Sequence, residues 1–119
     1  MTRLLTPPGR ASDTGRRGLS SLVERLAPVH AIPALPLPGQ GDAYRVVGRS
    51  RQCDVVVDDP SVSRAHAALV LFGGQWFVWD RHSTNGTRVN GRRIWGTASV
   101  RPGDLVAFGD ATFRLTPPE

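Results

Sequence analysis

Three two-residue turns divide the second half of the chain. Gly73-Gly74, Asn90-Gly91 and Gly109-Asp110 each separate two short runs rich in β-branched or aromatic residues. Such a connection closes a β-hairpin, because glycine, asparagine and aspartate accept the positive φ that strand twist imposes on the turn. The expected pairs are 65–72 with 75–79, 87–89 with 92–94, and 106–108 with 112–115. Upstream, 44–47 and 54–58 also read as strands, and Asp59-Pro60 makes a turn. Trp76, Phe77, Trp79, Phe108 and Phe113 fall inside these runs as core or cross-strand partners. Many short strands with regular turns predict an all-β sandwich.

The first third of the chain has a different character. Residues 1–18 are rich in Thr, Pro, Gly, Arg and Ser, show no periodicity, and are expected to be disordered. In 19–27, Leu19, Leu22, Val23 and Leu26 fall at i, i+3, i+4 and i+7, the spacing of one helix face, and Pro28 ends the run. Nine residues make a marginal helix without a surface to lie on. Prolines at 28, 33, 36 and 38 favour extended structure through 28–42. A central strand cannot draw its ladder donors from proline, so any strand there is degenerate, on an edge, or missing. The chain thus divides into a basic tail over 1–27, a Pro-rich linker or degenerate first strand over 28–42, and a domain over 43–117.

Composition removes several function classes. No apolar run approaches the eighteen residues of a membrane span, and MTRLLTPPGR lacks the apolar core of a secretory signal. The cytoplasm is the expected compartment, with no membrane insertion. Cys53 is the only cysteine. It cannot form an internal disulfide or build a thiolate metal site. His30, His66, His82 and Cys53 show no ligand spacing, so neither metal nor cofactor is expected. All fifteen basic residues are arginine, against ten acids. Residues 1–41 carry five arginines against Asp13 and Glu24, and 42–119 carry ten against eight acids. A basic balance admits nucleic-acid binding. The arginines are scattered in runs no longer than two, which does not favour it.

Three short pieces between the strands carry polar chemistry: Gly48-Arg49, then Ser63-Arg64-Ala65-His66, then Ser83-Thr84-Asn85-Gly86-Thr87 followed by Asn90-Gly91. Each falls at a strand end or in a loop, where binding residues gather on a β-scaffold. Together they supply guanidinium groups at Arg49 and Arg64, hydroxyls at Ser63 and Thr84, and an amide at Asn85. Such a set can surround a phosphate dianion and hold the backbone that carries it. Ser63, His66 and Asp80 are also the residue types of a hydrolase triad, but no Gly-x-Ser-x-Gly elbow accompanies them. No enzyme activity is expected.

In this order the pieces resemble the forkhead-associated (FHA) family, whose members bind phosphothreonine peptides. The likeness runs from about Tyr44 to Leu115, and RPGDLVAFGDATFRL resembles the closing hairpin of such a domain. The resemblance implies an FHA-like β-sandwich of two twisted, mainly antiparallel sheets behind a disordered or partly helical tail. It implies that Arg49, Ser63 and Thr84 meet the phosphate, that Arg64 contacts the peptide or its phosphate, and that Asn85 holds the peptide backbone. Gly48, His66 and Gly86 are then architectural, and Asn90-Gly91 is turn chemistry. The implied function is that of a monomeric phosphothreonine-binding adaptor in Ser/Thr kinase signalling. Its partner would be a kinase, a kinase substrate or its own tail, where Thr6 and Thr14 are candidate phosphorylation sites. Two alternatives stand beside this: a phospho-independent FHA-like interaction module, and a DNA-associated regulatory protein.

Overall fold

The computed structural model describes the backbone of residues 3–5 and the whole of residues 32–119. Two mixed sheets face one another. The larger runs β1 (Arg3–Leu5), β4 (Val55–Val57), β3 (Ala43–Gly48), β5 (Ala67–Phe72), β6 (Gln75–Asp80), β9 (Thr97–Val100). The smaller runs β2 (Ala34–Pro36), β11 (Ala111–Thr116), β10 (Leu105–Phe108), β7 (Thr87–Val89), β8 (Arg92–Arg93). The three turn dipeptides close β5–β6, β7–β8 and β10–β11, each pair antiparallel.

Period-two alternation builds the core. Ala111, Phe113 and Leu115 of β11 and Val106 and Phe108 of β10 point inward and are fully buried. They meet Val47, Leu69 and Val78 of the opposite sheet. Each large aliphatic or aromatic side chain buried this way contributes about 1.5–3 kcal/mol. β4, between β1 and β3, reads Val-Val-Val and is buried throughout. The outer face of the larger sheet is apolar as well. There Tyr44 of β3 and Trp79 of β6 meet edge-on across β5, ring centroids 5.9 Å apart. Trp79 is thus a cross-strand partner at the surface, while Phe108 and Phe113 are core.

Three features depart from the sequence reading. Residues 3–5, expected in a disordered tail, pair in parallel with β4, Arg3 opposite Val55 and Leu5 opposite Val57. β9 was not expected: Thr-Ala-Ser-Val has weak alternation and pairs only with β6, at the sheet edge. Asn90 does more than turn the chain at φ 50°. Its side chain accepts from Leu105 N–H at 2.9 Å and donates to Asp104 at 3.1 Å, tying the β7–β8 turn to β10. In the Pro-rich stretch, Ala34–Pro36 pairs with β11 alone, as an edge strand. The 19–27 helix, Thr6 and Thr14 lie outside the described residues.

Register brings four connections to one end of the sandwich. Val47, Ala67 and Asp80 lie abreast in the larger sheet. Thr87, Phe108 and Ala111 lie abreast in the smaller. The chain therefore leaves β3, crosses from β4 into β5, leaves β6 for β7, and turns from β10 into β11 at a common edge.

Candidate functional site

The loop between β4 and β5 is shaped by its own side chains. Asp59 accepts from Ser61 N–H at 2.8 Å and from Ser61 Oγ–H at 2.7 Å. Ser61 Oγ in turn accepts from Asp110 N–H at 2.8 Å, which binds the β10–β11 turn to this loop. Asn85 donates its amide to Ser61 O at 2.8 Å and draws the β6–β7 loop to the same place. One buried serine thus joins three of the four connections.

His66 is fully buried and edge-on to Phe108. Its Nδ1 accepts from Ser63 N–H at 3.0 Å, so Nε2 carries the proton and donates to Gly86 O at 2.9 Å. The ring is therefore neutral. Burial pushes its pKa below the ordinary histidine value, against the opposing pull of Gly86 O and Asp80. Both ring nitrogens are committed to backbone, so neither can take a proton from Ser63 Oγ as a hydrolase base would.

Asp80 organises the β6–β7 loop. Its carboxylate accepts from Ser83 Oγ–H at 2.5 Å, Thr87 Oγ1–H at 2.7 Å and Ser83 N–H at 3.2 Å. Burial alone would raise its pKa, but these donors outweigh burial and hold it below the ordinary aspartate value. Ser83 Oγ accepts from Gly86 N–H at 3.0 Å, closing the loop on itself.

Within this frame the residues singled out from sequence come together. Arg49 N–H donates to Ser63 O, and Arg49 Nε–H donates to Val62 O, each at 3.0 Å. The Nε contact orients the guanidinium and leaves its terminal N–H groups for a ligand. Ser63 Oγ accepts from Thr84 N–H at 3.0 Å, which leaves the hydroxyl proton to be donated elsewhere. Arg49, Arg64, Thr84 and Asn85 are exposed, Ser63 is half-buried, and Gly48, His66 and Gly86 are buried. Gly48 is required by space: a Cβ there would lie 2.2 Å from Arg64 O. Asp59, Ser61, Ser83 and Asp110 were given no role in the site from sequence. The short spacings Asp59-x-Ser61 and Asp80-x-x-Ser83 are local side-chain-to-backbone patterns that could have flagged the first three. The Asp110 contact spans 49 residues and leaves no local signal.

A family model described as the FHA domain matches residues 45–109, more than half of the chain. The chain belongs to the FHA-domain family. Among curated relatives, the transcriptional regulatory protein EmbR of Mycobacterium tuberculosis is 31% identical over 111 residues. That match covers 92% of this chain and 28% of EmbR, so the chain spans under a third of that relative's length. Among solved structures, the FHA domain of CT664 protein from Chlamydia trachomatis has 28% identity and a TM-score of 0.60, covering 63% of this chain and 76% of that one. Another similar chain comes from a structural and functional analysis of phosphothreonine-dependent FHA domain interactions. It has 26% identity and a TM-score of 0.57, covering 61% of this chain and 75% of that one. The sandwich of two mixed sheets is that of an FHA domain.

Proposed function

We propose that this FHA-domain protein is a monomeric adaptor that binds a phosphothreonine segment of a kinase, a kinase substrate or its own tail. The observation that carries the reading is the chain of contacts Arg49–Ser63–Thr84. It joins the Arg49 backbone to that of Ser63 and sets the Thr84 N–H on the Ser63 hydroxyl, on loops fixed beneath by Asp59, Ser61, His66 and Asp80. A phosphate dianion offers three acceptor oxygens. The guanidinium fork matches two of them, and the Ser63 hydroxyl supplies a third donor. Arg64 and Asn85 flank this surface and serve the rest of the peptide. Each hydrogen bond to a charged group contributes roughly 1.5–3 kcal/mol. Two or three of these support a modest, reversible affinity once association costs are met. The dependence on phosphothreonine described for a related FHA domain supports the same reading.

The test is titration of the full, phosphatase-treated chain against degenerate phosphothreonine, phosphoserine and unphosphorylated peptide libraries. Binding confined to phosphothreonine is expected. Equal binding to the unphosphorylated library would instead indicate a phospho-independent module. Affinity for duplex DNA that falls steeply with salt would indicate a DNA-associated regulator.

A further inference from the structure

One exposed pair borders the site without having been given a role. Ile94 N–H donates to Thr87 O at 2.9 Å, and Asp80 N–H donates to Gly96 O at 2.8 Å. The run 94–96 is thereby fastened to both ends of the loop that carries Thr84 and Asn85. The Arg93 guanidinium lies 4.1 Å from the centroid of the Trp95 ring. It also lies against Gly86: a Cβ built there would stand 2.8 Å from Arg93 Nε and 2.9 Å from Cζ. Trp95 is 78% exposed, the most exposed large apolar side chain among the described residues.

The geometry sets what such a pair can bind. A guanidinium stacked on an aromatic ring keeps its charge and the N–H groups along its edge, and loses rotamer freedom before any ligand arrives. Gly86, against which it rests, directly follows Asn85. Its glycine identity makes room for the arginine on this side of the loop. Of the carboxylates within these loops, Asp80 is turned onto Ser83 and Thr87 and Asp59 onto Ser61, while Asp58 and Asp110 are exposed. Outside stand Arg64, Arg81, Arg88 and Arg92, all exposed. A peptide that crosses Asn85 advances about 3.3 Å per residue. A side chain a few residues from the phosphothreonine therefore reaches the Arg93 edge.

We propose that Arg93, held by Trp95 over Gly86, is a specificity subsite that selects an aspartate or glutamate near the phosphothreonine. The inference rests on the reader function proposed above, and names the class of segment that function prefers: acidic phosphothreonine sequences. Trp95 acts as the positioning residue, and the Arg93 guanidinium makes the contact.

The test uses matched phosphothreonine peptides that differ only by Asp or Asn at each position within four residues of the phosphothreonine. They are titrated against the full chain and against Arg93→Gln, Trp95→Ala and Arg49→Ala. At one position the wild type should prefer Asp by about five- to tenfold, the scale of one charged hydrogen bond at an exposed site. Arg93→Gln should reduce that preference to under about twofold. Trp95→Ala should reduce it part of the way, and Arg49→Ala should weaken both peptides alike. Phosphate-dependent binding with no acidic preference, or a preference that survives Arg93→Gln, overturns the subsite and leaves the reader function standing. Absence of phosphate-dependent binding in the wild type overturns both. The melting curves of Arg93→Gln and Trp95→Ala, expected to match the wild type, confirm that exposed positions were changed without loss of fold.

Discussion

The two ends of the sandwich turn the chain by different means. At the far end, Gly73 and Gly74 pass β5 into β6 with φ of 59° and 78°, and a Cβ on either would meet nothing within 4 Å. That turn needs backbone freedom only. At the site end the constraint is space. Gly48 is pressed against Arg64 O, and Gly109 against Ser61 O, where a Cβ would stand 2.4 Å away. The loops there are longer and are held by side chains reaching across from one connection to another. The far end is held by single ties, such as Asn90 to Leu105 and Asp104 and Gly73 N–H to Asp42. The site end is solved once for all four connections together, so a disturbance in one loop passes to the others.

That contrast is open to test, beginning with the largest effect. Gly48→Ala forces the β4–β5 loop off β3 and should cost upwards of about 3 kcal/mol in denaturant unfolding, with peptide binding lost. A stable, binding-competent Gly48→Ala would show that the loops move independently. Arg49→Ala comes next: an affinity loss of roughly 1.5–3 kcal/mol by calorimetry, with the fold retained and a slightly lower melting temperature, since Val62 O loses the Nε–H donor. Ser63→Ala should weaken binding on the same scale, and also lower stability, because Thr84 N–H loses its acceptor. Unchanged affinity in either variant would remove that residue from the site.

Acidification should act next in size. His66 is neutral in the fold and its pKa there is lowered, whereas the unfolded chain protonates near the ordinary value of 6.5. Its contribution is therefore complete above that value and declines as pH falls below it. Melting temperature should fall between about pH 7.5 and pH 5.5, and His66→Gln should flatten the dependence. A slope that persists in the variant would assign it to another group. Asp80, whose pKa is lowered, holds its contribution until pH falls below the ordinary aspartate value. The smallest effect belongs to the far end. Gly74→Asn should cost about 0.5 kcal/mol or less and leave binding untouched, because asparagine tolerates the left-handed region.

The sequence was most legible where structure is local. The turn dipeptides placed three hairpins, and the ordered Gly-Arg, Ser-Arg-x-His and Ser-x-Asn-Gly-Thr pieces brought the site residues to one edge. Strand ends moved by one or two residues, as at 92–93, where the sequence suggested 92–94. What escaped depended on distant partners. Thr97–Val100 becomes a strand because β6 offers an edge, and residues 3–5 become one because β4 does. Asn85 also braces Ser61 O through its amide nitrogen, a contact across 24 residues that the sequence did not show. Propensity and spacing carry no record of such pairings.

The backbone and side chain of Arg64 have separate fates. Its carbonyl oxygen receives Ser50 N–H at 3.1 Å and Cys53 Sγ–H at 3.0 Å, and it seals against Gly48. Its side chain stands exposed. Any residue with an ordinary backbone satisfies the first role, because carbonyls are common to all twenty. Position 64 is therefore a place where the side chain can be changed while the architecture stays the same. Gly48, a short strand end away, has no such latitude.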